Sequence, residues 1–103
     1  MFANTPKPPF YAVIFTSLRS LNNEGYKERD ELIYQKVVNE KGYIDHESAR
    51  NDKGFGIHIS YWKSLEDIDR WKNHRNHNEA KRLGKHKWYD KYEVKIAKVE
   101  TKY

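Results

Sequence analysis

The segment that most narrows the fold runs from Phe55 to Trp62 (FGIHISYW), where large apolar residues alternate with others just ahead of a serine-capped helix. Side chains along a strand point alternately to its two faces. Phe55, Ile57, Ile59 and Tyr61 therefore share one face, and Gly56, His58, Ser60 and Trp62 share the other. Burying an unpaired polar group costs about 1 kcal/mol or more. On that ground the face bearing Ile57, Ile59 and Tyr61 is expected to pack under the helices, with His58 and Ser60 on the opposite face.

The flanking sequence sets the order of elements. Phe10 to Ser17 (FYAVIFTS) is a dense β-branched and aromatic run and reads as a buried strand. Asn22, Asn23 and Gly25 mark a loop. From about Tyr26 to Glu40, Leu32, Ile33, Val37 and Val38 recur at helical intervals between charges, and Gly42 stands just past the helix end. Tyr43 to Arg50 is a second strand, joined to the third by the turn Asn51-Asp52-Lys53-Gly54. Ser64 caps the next helix, with Asp67 three residues on in a capping-box arrangement.

Leu65, Ile68 and Trp71 line one side of that helix. Ala80 and Leu83 lie about a quarter turn away from this stripe, which predicts a break near His74 to His77, with Gly84 ending the second piece. Tyr92 to Val99 is a final strand whose apolar side carries Val94 and Ile96. The order β-α-β-β-α-β defines an α+β, ferredoxin-like domain with an antiparallel sheet and helices on one face. Residues 1–9, with Pro6, Pro8 and Pro9, read as a flexible lead, and residues 10–103 as a single domain.

Composition narrows the function classes. Of 103 residues, 34% are charged, yet 8 Tyr, 3 Trp and 4 Phe supply large rings that must serve as core, subunit interface or pocket lining. A domain of this size gains from burying a sheet face against a second copy, so a homodimer is expected. The net charge of +5 is spread among 15 acidic residues rather than blocked, which reads as a solvated surface. With no cysteine, disulfides and thiolate chemistry are excluded. The opening MFANTPKPPF is not signal-like, and no run approaches membrane-span length, so a cytoplasmic protein without membrane contact is expected.

Lys53-Gly54-Phe55-Gly56 matches half of an RNA-recognition consensus. Ile57 then stands where a second base-stacking ring is needed. Strand parity, as read above, would also bury His58 and Ser60 in an RNA-binding sheet, so no nucleic acid partner is expected.

Taken together, several motifs resemble the antibiotic biosynthesis monooxygenase-like family. They are Tyr11-Ala12-Val13-Ile14-Phe15-Thr16-Ser17, Gly42-Tyr43, Glu47-Ser48-Ala49-Arg50, Gly54 to Trp62, the helix carrying Glu66-Asp67-Ile68, Trp71-Lys72, His74 and His77, and Trp88-Tyr89 with Tyr92. The resemblance implies a dimeric α/β barrel made by two sheets packed face to face, with a pocket in each subunit between sheet and helices. It also implies either cofactor-independent oxygenation of polycyclic phenols or binding and opening of haem. In the haem-degrading branch an Asn on the first strand, a Trp on the second helix and a later His form the site. Trp71 fits the Trp position, but Phe15 or Thr16 and Lys81 occupy the other two. In the phenol-oxidising branch an Asn one turn before the Trp contributes, and Asp67 stands there.

The leading reading is a cofactor-independent monooxygenase-like protein that binds a small aromatic or polyphenolic compound. Trp71 and Tyr61 would hold the substrate, with His74 or His77 as proton acceptor, because imidazole titrates near neutrality. Neither a metal nor an organic cofactor is expected: His74 and His77 share a helical face, but no third ligand is indicated. His58 reads as a hydrogen-bonded interface residue, Glu47 and Arg50 as a surface ion pair, and Trp88 and Tyr89 as dimer or pocket-edge packing. The alternative is a non-enzymatic ligand-binding or interaction dimer of the same fold.

Overall fold

The structure, a computed structural model, describes residues 1–21, 24–73 and 88–103. Its elements are β1 (Phe10–Arg19), α1 (Tyr26–Val37), β2 (Tyr43–Arg50), β3 (Phe55–Trp62), α2 (Leu65–Lys72) and β4 (Tyr89–Val99). The strands form one antiparallel sheet in the order β2-β3-β1-β4. This is the ferredoxin-like arrangement the sequence predicts. The predicted break near His74 to His77, the second helical piece with Ala80 and Leu83, and its stop at Gly84 lie outside the described residues.

Local chemistry accounts for the joints. Asn51 Oδ1 accepts from the backbone N–H groups of Lys53 and Phe55, which tightens the β2–β3 hairpin, and Gly54 supplies the positive φ of 92°. Ser64 caps α2 by accepting from the Asp67 N–H at 3.1 Å, as its spacing predicts. Gly42 does more than end a helix. α1 stops at Val37, and Gly42 takes φ 85° where α2 comes closest.

The core sits between the sheet and the two helices. Trp62 is completely buried, with Ile68 and Trp71, and Tyr11, Val13, Ile33, Val37 and Tyr43 pack around them. The helical stripe of α1 that meets the sheet is Tyr26, Asp30, Ile33, Tyr34 and Val37, while Leu32 and Val38 point outward.

This core reverses the expected parity of β3. Trp62 anchors the helix side, so Ser60, His58 and Gly56 lie under the helices with it. Tyr61, Ile59, Ile57 and Phe55 face the opposite, open side. The indole offers far more buried area than one isoleucine, and its Nε1–H satisfies Ser60 Oγ at 2.9 Å, which removes the Ser60 part of the polar penalty, while His58 escapes it by staying exposed to water. The parity objection to RNA binding therefore does not hold. The open face is nevertheless aliphatic at its centre, where Ile14 pairs with Ile59 and Thr16 with Ile57, rather than ring-lined for base stacking.

Candidate functional site

On the helix side, strand register brings a set of rings and titratable groups together beneath α1. His46 pairs with Ser60 and Ser48 with His58, so the two histidines are diagonal neighbours on β2 and β3. Their rings stack at 5.2 Å with 26° between planes. Tyr34 of α1 meets His46 edge-on at 4.9 Å, and the Tyr43 hydroxyl lies 2.5 Å from His46 Nδ1.

Toward β1 and β4 the cleft is walled by rings. Phe15 meets Tyr89 edge-on at 5.2 Å, and Tyr26 reaches both Tyr89 and Trp88. Arg19 lies over the Tyr26 ring at 3.4 Å. Arg50 donates to the Ser17 carbonyl and to Ser17 Oγ, at 3.3 and 2.7 Å, and to the Gly54 carbonyl.

Electrostatics follow from this enclosure. Burial, with His46 adding a second imidazole, pushes His58 down to about 4. His58 is nevertheless well exposed, so water screens much of that effect. Burial first and the Asp45 carboxylate second raise Tyr43 to about 12. Burial also raises the Asp30 carboxyl, with Arg19, Arg50 and His46 acting against it. The cleft therefore holds a neutral imidazole, an engaged imidazole and a protonated phenol at neutral pH.

The residues singled out from the sequence separate on the structure. Trp71 is a core residue behind Trp62, both in contact with the cluster that includes Tyr43. Tyr61, expected on the helix side, stands on the open face, where its hydroxyl donates to Glu47 at 2.5 Å and Phe10 meets its ring at 5.6 Å. Glu47 and Arg50 lie on opposite faces, so the expected ion pair is not made. His58, expected at the subunit interface, belongs to the helix-side cleft. His74 and His77 lie outside the described residues.

A cavity of about 290 Å³ opens on the other face, near Tyr61, between the N-terminal lead and the C-terminal tail. Its walls include Phe2 and Tyr103, both fully exposed, so it is a shallow recess open to the surface. Among the described residues, no group of three or more His, Cys, Asp or Glu side chains is gathered as a metal site. Within the same residues, no helix is long and apolar enough to cross a membrane.

His46 is the residue that sequence reasoning missed. Its signal was the register itself: the tight Asn51–Gly54 turn pairs Arg50 with Gly56 and sets His46 one diagonal step from His58.

A four-stranded antiparallel sheet with its helices on one face defines a small ferredoxin-like α+β domain. The sequence profile of the antibiotic biosynthesis monooxygenase family matches residues 9–83, and the chain belongs to that family. An uncharacterized protein of Bacillus subtilis (strain 168), YqjZ, is 42% identical over 98 residues, covering 95% of this chain and 86% of its own length. Among solved structures, SnoaB from Streptomyces nogalater, described as a cofactor-independent oxygenase, superposes with a TM-score of 0.77. It is 7% identical, over 92% of this chain and 97% of that one. A protein from Shewanella oneidensis also gives 0.77, at 9% identity over 91% and 94% of the two chains. At such identities these structures share the fold.

Proposed function

We propose that this chain is a cofactor-independent, monooxygenase-like homodimer that binds a small aromatic, polyphenolic compound in the cleft beneath α1. The observation that carries the reading is the placing of His46 and His58 at the floor of a cleft walled by Phe15, Tyr26, Tyr34 and Tyr89. Rings of this kind hold a flat, electron-rich ligand, and an imidazole can take its phenolic proton. The description of SnoaB as a cofactor-independent oxygenase supports the same class.

The chemistry balances without a redox cofactor. Loss of the phenolic proton yields an electron-rich anion that can reduce O₂ directly. A ring CH₂ becomes C=O, one oxygen atom enters that carbonyl, and the other leaves as water. The protein's part is to bind the ring, remove the proton and exclude bulk water. The sequence offers His74 and His77 as proton acceptors, and the described cleft offers His46 and His58. Trp62 and Trp71 back the cleft through Tyr43, so indole emission reports on what enters it.

Homodimerisation through the open sheet face is supported by its apolar lining, with Phe55 and Ile57 both well exposed and Leu18 beside them. The test is a fluorescence titration of the purified protein with a panel of polycyclic phenols, hemin included, followed by oxygen-electrode assays. Saturable quenching by a phenol with oxygen uptake is the expected result. Saturable binding without oxygen uptake would select a non-enzymatic binding dimer instead, and the absence of saturable binding would overturn the small-molecule reading.

A further inference from the structure

We propose that His46 and His58 form a two-point grip for an aromatic ligand with two neighbouring oxygens, His46 donating a hydrogen bond to one and His58 taking the proton of the other. The inference rests on the aromatic-ligand reading above and adds which residues hold the ligand and which ligands they select.

The two imidazoles are set for opposite roles. Tyr43 keeps its phenolic proton to high pH, because burial and the Asp45 carboxylate both disfavour the phenolate. With the Tyr43 hydroxyl taken as the donor across its 2.5 Å contact with His46 Nδ1, the ring proton of His46 sits on Nε2 and the residue is a donor there. The His58 ring makes no hydrogen bond among the described residues; its contact is the stacking with His46. Burial beside a second imidazole keeps it neutral at neutral pH, so it carries a free lone pair at an accessible edge. A donor and an acceptor on rings stacked at 5.2 Å can engage two oxygens that are themselves adjacent on one ring system.

Neither residue suffices alone. An imidazole whose conjugate acid has a depressed pKa is a weak base toward a phenol. The Nε2–H of His46 stabilises the phenolate as it forms and so lowers the cost of that uphill transfer, which makes the ion pair a transient state rather than the resting one. The phenol O–H bond breaks, its proton goes to the His58 nitrogen, and the negative charge stays on the ligand oxygen facing His46. No electron is transferred in this step. The other groups facing the pair are Tyr34 and Asp30 from α1, Asp45, Tyr43 and Ser48 from β2, Ser60 from β3 and Phe15 from β1, with Asp45 Oδ1 3.9 Å from His46 Nδ1. Of these, the Asp30 carboxyl is shifted upward by desolvation, with Arg19, Arg50 and His46 acting against the shift.

The test uses the full chain and two visible-absorbing probes, alizarin, whose two hydroxyls are neighbours, and the anthraquinone with a single hydroxyl on the same ring. The native protein is expected to bind alizarin about tenfold more tightly than the single-hydroxyl probe, with its visible absorption band shifted by the hydrogen bond to His58; tenfold corresponds to about 1.4 kcal/mol, one good hydrogen bond. His58→Gln is expected to lose both the preference and that band shift while still binding the single-hydroxyl probe. His46→Gln is expected to lose the preference as well. Equal binding of both probes by the native protein, or a preference that survives in both variants, would overturn the grip and leave the aromatic-ligand reading standing. Failure of the native protein to bind either probe would overturn that reading and the grip together.

Discussion

A Cβ on Gly42 would fall 2.0 Å from Asp67 Oδ2 and 2.2 Å from its Cγ, so the loop before β2 can approach α2 only because residue 42 has no side chain. Asp67 cannot easily yield. Its carboxylate accepts from Arg70 at 2.8 Å and from the Ser64 hydroxyl at 2.8 Å. Gly42 also takes φ 85°, a conformation that costs an L-residue roughly 1–2 kcal/mol. Gly42→Ala is therefore expected to destabilise the fold by about 2–4 kcal/mol, strain and displaced carboxylate together. Urea denaturation followed by far-UV circular dichroism measures this directly. A midpoint unchanged from the native protein would mean that Asp67 swings aside freely.

Trp62 is the second point of leverage, being completely buried and packed on Ile68 and Trp71. Trp62→Ala is expected to cost about 3–5 kcal/mol, a large share of the roughly 5–15 kcal/mol that holds a domain together. Trp62→Phe keeps most of the apolar area but leaves Ser60 Oγ without its 2.9 Å donor. The double change Trp62→Phe with Ser60→Ala should therefore recover part of the loss, because removing both partners is nearly neutral where removing one is not. A thermal melt of the three variants tests the order. Equal melting temperatures for Trp62→Phe and the double variant would show that the indole N–H contributes nothing.

The order of strands and helices was legible because its signals are local, although α1 ends at Val37 rather than near Glu40 and β4 begins at Tyr89 rather than Tyr92. The Asn51-Asp52-Lys53-Gly54 turn, the Ser64 cap and the β-branched run from Phe10 each declare themselves within a few residues. The side of β3 that meets the helices was not legible. Alternation separates two faces but does not say which one is covered first when a sheet carries apolar residues on both, as β3 does with Trp62 on one side and Ile57, Ile59 and Tyr61 on the other. Ranking the faces by their largest ring rather than by aliphatic count would have put Trp62 inward. The candidate site inherited that error. With His58 turned outward, its partner His46 had no reason to be noticed, although the hairpin register that joins them is fixed by the turn.

Two acid-sensitive groups predict a stepped loss of stability on acidification. His58 is held below its ordinary value, to about 4 from 6.5. Below pH 6.5 the unfolded chain therefore binds a proton at this ring that the folded chain does not. Stability from the neutral ring is fully present above pH 6.5 and is lost as pH falls toward about 4. Asp67 is also held down, first by the Arg70 hydrogen bond, and its contribution is lost only at lower pH, below the ordinary carboxylate range. The urea midpoint should thus fall between pH 6.5 and 4 in the native protein, and His58→Gln should flatten that part of the curve. Asp67→Asn should spare it and act on the more acidic part. Identical curves for native protein and His58→Gln would show that the ring protonates in place without penalty.

The open face makes a prediction that separates assembly from folding. Ile57 pairs with Thr16 and Ala49 there and is 40% exposed in the single chain, so a polar residue at this position meets water and leaves the helix-side core untouched. In a dimer joined through this face the same residue is covered, and an unpaired ammonium would have to be buried at a cost of several kcal/mol. Ile57→Lys is therefore expected to weaken self-association by more than about a hundredfold while leaving the circular dichroism spectrum unchanged. Sedimentation equilibrium at micromolar concentration reads this as a fall from twice the 12.4 kDa chain mass to that mass itself. A native protein that already sediments as a single chain would remove the dimer from the proposed function. An Ile57→Lys variant that stays dimeric would move the interface to another surface, and the lead and tail beside Tyr61, linked by the Lys102 ammonium donating to the Thr5 carbonyl, would be the next place to substitute.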